Sequence, residues 1–187
     1  MHRRPRWDEV RMKRFGLAIG MACLVTVSGW SGATPEEYTD FLSSLYRGTV
    51  PLVEPEEAVG LMLAKPDLVV LDVRSEAERS VSFLEGSRFF DFESFRIEQV
   101  SGLDRDTPVL LYCAVGYRSE RIGEQLIAAG FTDVQHVYGG IIEWYNRGFS
   151  VADGQAAGSG APLIHGHLPK WGKYVADGQV TYEPAVE

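Results

Sequence analysis

The residues best suited to take part in a chemical reaction lie in one short stretch, Cys113-Ala114-Val115-Gly116-Tyr117-Arg118-Ser119. It follows an apolar run at residues 108–112 and precedes a segment with a helical pattern. A cysteine between a buried strand and a helix N-terminus has backbone N–H groups directed at its sulfur, and these donors and the helix dipole favour the thiolate. Gly116 lets the tight loop take a positive φ, and Arg118 adds a positive charge. The loop is therefore predicted to hold a negative charge on or next to Cys113.

A nucleophilic thiolate, donors that stabilise it and a cation that seats an anionic donor are the requirements of a persulfide cycle. Cys113 is the predicted catalytic residue. The predicted substrate-binding residues are Arg118, Gly116, Val115, Ala114 and Tyr117, with Tyr117 at the mouth of the pocket. Ser119 is predicted to cap the following helix. An inert buried thiol is the alternative interpretation of Cys113.

Two other functions fit the same residues. Phosphatases and arsenate reductases also place Cys and Arg around an anion, in the pattern Cys-x5-Arg. Here the spacing from Cys113 to Arg118 is Cys-x4-Arg, which predicts a smaller cradle that suits a terminal sulfur better than a tetrahedral oxyanion. The non-enzymatic alternative is a sulfur-relay or interaction module whose partner is another protein.

Apolar runs that alternate with helical patterns predict the elements around this loop. The predicted strands are residues 50–53, 67–72, 89–90, 109–112 and 134–137. The predicted helices are residues 54–64, 76–80, 94–100, 118–129 and 140–147. This order predicts an α/β protein with a parallel five-stranded sheet, helices on both faces and functional residues at the carboxyl ends of the strands.

The chain resembles the rhodanese family of sulfurtransferases. The resemblance is carried by Leu71-Asp72-Val73-Arg74 with Glu78, by residues 113–119, by residues 130–134 and by Tyr138-Gly139-Gly140-Ile141-Ile142-Glu143-Trp144. It implies the rhodanese-like fold and transfer of a sulfane sulfur from a donor such as thiosulfate to cyanide or a thiol, with no cofactor. One departure is the run at residues 82–87, where the family usually has a histidine.

The resemblance also places the strand end at Asp72 beside the catalytic loop, where Asp72 could orient Arg118. Arg74 is a second supporting residue, although an acid and a base near a strand end often form a purely structural ion pair. Glu78 is predicted to pair structurally with a neighbouring base.

The first 33 residues have the pattern of a secretory signal. Six Lys or Arg residues precede an apolar run at residues 15–30, and the small residues Ser31-Gly32-Ala33 follow it. Cleavage after Ala33 and export, to the periplasm in a bacterium, are predicted. An uncleaved anchor is the alternative, and Met12 is an alternative start.

Charge and cysteine content limit the partners of the exported chain. The net charge is −8, and loss of residues 1–33 removes six basic and two acidic side chains, which changes it to −12. Nucleic acid and an anionic membrane surface are therefore excluded as expected partners. Cys113 becomes the single cysteine because Cys23 leaves with the signal.

Segments on each side of the predicted domain at residues 50–150 complete the organisation. Residues 34–49 form a predicted helix with an aromatic stripe, capped by Thr34, that docks on the domain. Residues 151–187 are predicted to be a linker and a tail that packs back. His165 and His167 are interpreted as a surface pair, and no metal site is predicted.

Overall fold

The computed structural model describes residues 33–153, 162–176 and 179–184. The predicted signal therefore lies outside the described residues, apart from Ala33. In these three ranges no helix has the length and apolar character needed to cross a membrane.

Nine short strands are present in the described residues. In chain order they are β1 (Leu52–Val53), β2 (Val69–Asp72), β3 (Ser82–Phe83), β4 (Arg88–Phe89), β5 (Val109–Tyr112), β6 (Val134–Val137), β7 (Ala152–Asp153), β8 (Ile164–His165) and β9 (Val180–Thr181). Five of them form one all-parallel sheet in the order β1-β6-β5-β2-β4. The strand pairs β3–β7 and β8–β9 form two small separate sheets. The parallel five-stranded sheet confirms the predicted α/β class.

The helices connect and flank these strands. They are α1 (Pro35–Leu45), α2 (Pro55–Ala64), α3 (Glu76–Val81), α4 (Tyr117–Ala128), α5 (Gly140–Asn146) and α6 (Pro169–Gly172). The predicted Thr34 cap of α1 is confirmed, because the Thr34 side chain accepts from the Glu37 N–H and the Glu37 side chain accepts from the Thr34 N–H. The helix predicted at residues 94–100 is wrong in extent, since only a 3₁₀ turn forms at Ile97–Val100.

Side chains alternate across the sheet and build one core on each face. Val70 and Leu110 face a core that contains Tyr38 and Leu42 of α1 together with residues of α2 and α5. Val69, Leu71, Val109 and Leu111 face the other core, which includes Ile122 and Leu126 of α4. Helices therefore cover both faces of the sheet, as predicted, and this explains why the central strand β5 and residues 69–71 of β2 are continuously apolar.

Two strands begin later than the sequence predicts. Pro51 has no N–H to donate to a ladder, so β1 starts at Leu52 instead of Val50. The chain before β2 turns, with the Leu68 N–H donating to the Lys65 carbonyl at 3.1 Å, so β2 starts at Val69 instead of Asp67. The bounds predicted for β5 and β6 agree with the structure.

The N-terminal helix and the C-terminal tail pack on one another, a contact that the sequence analysis did not predict. The rings of Tyr38 and Tyr174 stack with their centroids 4.7 Å apart, and Phe41 stacks on Tyr174 at 4.8 Å. Asn146 of α5 donates from Nδ2 to the Tyr174 carbonyl at 2.8 Å. The tail is thus tied to both α1 and the body.

Candidate active site

The loop after β5 lies at the carboxyl edge of the sheet, and its shape is set by backbone contacts. The Ile141 and Ile142 N–H groups donate to the carbonyls of Cys113 and Ala114 at 2.9 and 3.2 Å. A Cβ on Gly140 would collide with the Cys113 carbonyl oxygen, so this close approach requires glycine. The two-glycine turn before α5 therefore supports the loop from behind.

Cys113 is buried, with 1% of its surface exposed. The Gly116 N–H donates to its sulfur at 3.1 Å, and Gly116 has the predicted positive φ of 94°. The backbone N–H groups of Ala114 and Val115 donate to no partner within the described ranges. The geometry thus provides one N–H donor on the sulfur, and two further N–H groups of the same loop have no partner in the described ranges.

Arg118 carries the charge of the loop, and it is paired with Glu78. Its Nη1 and Nη2 donate to the two Glu78 carboxylate oxygens at 2.7 and 2.6 Å, and Glu78 is fully buried. The remaining donor of the guanidinium, the Arg118 Nε–H, is buried and lacks a partner among the described residues. Burial opposes the charge of Arg118, but the Glu78 hydrogen bonds and the electrostatic interaction with Cys113 raise its pKa.

Glu78 replaces Asp72 as the partner of Arg118. Burial alone would raise the pKa of Glu78, but hydrogen bonds from His167 and Arg118 hold it well below its ordinary range. The Ser75 N–H and hydroxyl also donate to Glu78, at 3.1 and 2.9 Å. This pair forms the capping box at the start of α3. Glu78 does pair with a base, and that base is Arg118, in the loop that follows β5.

The expectation that Asp72 orients Arg118 is therefore wrong. The Asp72 carboxylate accepts two hydrogen bonds from the Arg74 guanidinium, at 2.9 and 2.7 Å, and one from the Arg74 N–H at 3.2 Å. It also accepts one each from Tyr112 and Arg79, at 2.7 and 3.1 Å. Arg74 is fully buried and also donates to the carbonyls of Glu78 and Ser82, at 3.4 and 2.6 Å. Asp72 and Arg74 thus form the structural ion pair and fix the backbone of α3 and β3.

Ser119 does not cap α4, because the helix begins two residues earlier and Gly116 occupies the N-cap. The Ser119 hydroxyl donates to the Gly116 carbonyl at 2.9 Å. It also lies 3.3 Å from His136 Nδ1 and 3.9 Å from the Cys113 sulfur. From the first turn of α4, the Ser119 side chain therefore fixes the position of the Gly116 carbonyl in the loop.

Tyr117 lies at the surface and is 37% exposed. The Arg121 guanidinium stacks on its ring at 4.7 Å. Tyr117 is the loop residue that faces solvent, which places it at the outer edge of the site.

His136 is a buried residue that the sequence reasoning missed. It lies in β6, beside Leu111 in the register, and has no exposed surface. Burial lowers the pKa of His136 to about 4, so the ring is neutral near pH 7. The available signal was a histidine in a strand that is otherwise buried and apolar at Val134 and Val137.

The interpretation of His165 and His167 as a surface pair is wrong. His165 is buried, and its Nδ1 accepts from the His167 N–H at 3.0 Å. His167 Nδ1 lies 3.3 Å from the Glu78 carboxylate that holds Arg118. In the described parts of the chain no group of three or more His, Cys, Asp or Glu side chains is arranged to hold a metal ion. The tail thus reaches the Arg118–Glu78 pair.

Fold and site together define a class: an α/β protein with a cysteine loop at the carboxyl edge of a parallel sheet. A family model described as a rhodanese-like domain matches residues 54–147, half of the chain. The chain belongs to the rhodanese-like domain family, as its sequence resemblance indicated.

Curated relatives match about half of the chain. The chain is 29% identical over 112 residues to a tRNA uridine(34) hydroxylase of Nitrobacter winogradskyi, in a match covering 52% of this chain and 44% of that protein. The chain therefore spans less than half the length of this curated relative.

Solved structures show the same fold. The polysulfide-sulfur transferase of Wolinella succinogenes has a TM-score of 0.51 and 21% identity, covering 67% of this chain and 93% of that one. A thiosulfate sulfurtransferase of Pseudomonas aeruginosa has a TM-score of 0.53 and 24% identity, covering 63% of this chain and 23% of that one.

Proposed function

We propose that this protein is a sulfurtransferase that carries a sulfane sulfur on Cys113 as a persulfide. The donor is a small anion such as thiosulfate, and the acceptor is a thiophile such as cyanide or a thiol. The observation that carries the proposal is the buried Nε–H of Arg118, which lacks a partner in the described residues and belongs to the guanidinium next to the Cys113 sulfur. Buried donors are nearly always satisfied, so one left open at a thiolate favours an anionic ligand there.

The transfer is a pair of displacements on sulfur. The Cys113 thiolate attacks the outer sulfur of thiosulfate, the S–S bond of the donor breaks, and sulfite leaves with the electron pair. Cyanide then attacks the terminal sulfur of the persulfide and departs as thiocyanate, which returns Cys113 to the thiolate. Neither step needs an external oxidant or a general base, because the attacking and leaving groups are all anions.

The loop residues support both displacements. The Gly116 N–H already donates to the sulfur of Cys113. The open N–H groups of Ala114 and Val115 and the Arg118 Nε–H are available to the terminal sulfur or to the sulfonate oxygens of the donor. Bidentate binding to Glu78 holds the guanidinium plane in one orientation, so little ordering is required when the anion arrives.

Two features set limits on the partners that we propose. The names of the curated relatives refer to tRNA, but a net charge of −8 disfavours a polyanion here.

The basic and apolar pattern of residues 1–33 supports export. N-terminal sequencing of protein from the extracytoplasmic fraction should start near Thr34, and full-length protein confined to the cytoplasm would contradict export.

The test of the transfer is direct. Protein incubated with thiosulfate should gain one sulfur atom on the peptide that contains Cys113 and lose it to cyanide as thiocyanate. Cys113→Ser should abolish both, since a hydroxyl is neither ionised near neutral pH nor able to carry the sulfur. Turnover of an aryl phosphate that depends on Cys113, without any persulfide, would reassign the protein to the phosphatase class. Sulfur loading from a persulfidated protein but from no small donor would favour the relay module.

A further inference from the structure

Two segments outside the region matched by the family model contact the Cys113 loop or the carboxylate that holds its arginine. The first is α1 with Tyr46, which follows it. The Tyr46 hydroxyl donates to the Val115 carbonyl at 2.8 Å and accepts from the Gly139 N–H at 2.9 Å. The Tyr38 hydroxyl donates to the Gly139 carbonyl at 3.3 Å. The loop and the turn behind it are thus clamped from the N-terminal side.

The second segment, residues 162–176, is here called the C-terminal strap. At one end His167 contacts Glu78, and the His167 and Trp171 rings lie 4.8 Å apart. Trp171 is 6.0 Å from Phe41, and Tyr174 stacks on Phe41 and Tyr38. The strap therefore forms a continuous series of side-chain contacts from the carboxylate that holds Arg118 to the helix that clamps the loop.

The strap is held in a conformation that costs free energy. His167 has a φ of 58°, in the left-handed region that a residue with a side chain rarely adopts. Such strain persists only where the surroundings impose it, and it is common at ligand clamps and switch regions. Here the His167 side chain contacts Glu78 and its N–H donates to His165, which is buried. These contacts hold the turn closed.

With the strap in this position, the reactive groups are almost inaccessible. Cys113 is 1% exposed and Arg118 is 8% exposed, while Ala114 and Val115 have no exposed surface. A folded protein or a nucleic acid cannot bring a reactive group to a sulfur buried in this way. Any reagent larger than a few atoms requires movement of the covering segments.

We infer that the C-terminal strap, held by His167 on Glu78 and by Trp171 on α1, restricts sulfur exchange at Cys113 to small molecules and excludes the thiols of folded proteins. The inference rests on the proposed function for the acceptor class, but the closure itself is independent of it. Reactivity of a site that is open for a fraction of the time is reduced by that fraction. Loosening the strap should therefore help large reagents more than small ones.

Alkylation of the full chain tests the closure without any sulfur transfer. Iodoacetamide is the small reagent, a polyethylene-glycol maleimide of several kilodaltons is the large one, and labelling is quantified on the Cys113 peptide. Trp171→Ala and His167→Gly should raise labelling by the large reagent about tenfold or more and labelling by iodoacetamide much less. The matched control is Leu163→Ala, which changes an exposed side chain of the same strap and should leave both rates unchanged.

His167→Gly separates opening from unfolding, because glycine accepts the positive φ that strains histidine. Its thermal midpoint should stay near that of the unchanged protein. Folded variants that label at the original rates with both reagents would overturn the inference, as would fast labelling of the unchanged protein by the large reagent.

The acceptor class is measured on protein already loaded with sulfur. Release to a reduced protein dithiol should be slow in the unchanged protein and should rise about tenfold in the strap variants, while release to cyanide changes little. Equal release to both acceptors without any strap change would contradict the selectivity. If no sulfur loads at all, the proposed function fails, and the alkylation result still decides whether the strap closes the site.

Discussion

Two buried pairs of arginine and carboxylate stand within this fold, and they differ in how completely they are bonded. Arg74 and Asp72 have no exposed surface, and the charged atoms of Asp72 are shared among Arg74, Arg79 and Tyr112. Arg118 and Glu78 form an equally short bidentate pair, but Arg118 keeps a buried Nε–H without a partner in the described residues. A complete network fixes geometry, whereas the incomplete one leaves a buried donor that the proposed function assigns to an anionic ligand.

The complete pair also positions the incomplete one. Arg74 donates to the backbone carbonyl of Glu78, and so ties the start of α3 to the end of β2. The orientation of Arg118 depends on Glu78, which depends in turn on where α3 lies. The division of labour is testable, because changes to the first pair should act on stability and changes to the second on sulfur transfer.

The largest effect is expected from Arg74→Ala. It leaves the buried Asp72 carboxylate without its main counter-charge, and breaking a buried pair in this way typically costs about 3–5 kcal/mol. The measurement is the free energy of unfolding in urea. The control is Arg47→Ala, which removes a surface pair with Glu124 whose arginine side chain is 59% exposed. Its expected cost is below about 1 kcal/mol, and equal losses for the two variants would refute the structural role of Arg74.

A further buried polar group, His136, should make the free energy of unfolding sensitive to acid. In the unfolded chain the imidazole of His136 binds a proton near pH 6.5, but in the folded chain it does so only near pH 4. The unfolded state therefore binds more protons between these values, and stability is present above pH 6.5 and falls as the pH drops towards 4. At pH 5 this loss amounts to about 2 kcal/mol from one group.

Urea unfolding at pH 7 and pH 5 measures this loss. His136→Gln should abolish that part of the pH dependence, since the amide does not titrate in this range. Glu78 contributes only at lower pH, because its loss begins as the pH falls through the ordinary range of a carboxyl group. Identical pH dependence in the two proteins would show that His136 is not kept neutral by burial.

The sequence was sufficient for features that depend on neighbouring residues. β5, Cys113 and Gly116 lie within eight residues of one another, and the strand, the positive φ and the N–H contact to the sulfur follow from that stretch alone. Ser119 shows the limit of such reasoning. The helix could begin before or after Arg118, and the left-handed Gly116 moved its start to Tyr117.

Partners distant in the sequence could not be predicted in the same way. Asp72 and Glu78 are both acids near the end of β2, and the choice between them depends on how α3 packs. Ser75 and Glu78 do form a capping box, and that local signal could have placed Glu78 in the first turn of α3. Nothing local connects His167 to Glu78, because their contact requires the tail to fold back over the body.

The next effect in size concerns the open donor of the second pair. Arg118→Lys keeps the charge but removes the planar fork and its Nε–H. It should therefore reduce stabilisation of the transition state by about 1.5–3 kcal/mol, which lowers kcat/KM for thiosulfate roughly tenfold to a hundredfold. Its urea midpoint should change less than that of Arg74→Ala. Arg121→Lys is the matched control, because Arg121 lies one turn along α4 and also has a buried Nε without a partner in the described residues. Equal losses of activity would mean that the open Nε–H of Arg118 has no special role.

The smallest effect is expected where a neutral side chain holds the loop. Tyr46→Phe removes the hydroxyl that joins Val115 to Gly139, and loss of a neutral hydrogen bond to a buried carbonyl costs about 1 kcal/mol. Tyr117→Phe removes a hydroxyl from the exposed ring of the same loop and should change stability by less than about 0.5 kcal/mol. If the two arginine pairs alone define the loop, Tyr46→Phe should lose stability and retain its sulfur transfer. If transfer falls by more than the stability loss explains, the loop backbone itself must be held from the N-terminal helix, and the incomplete pair is only one part of the device that positions Cys113.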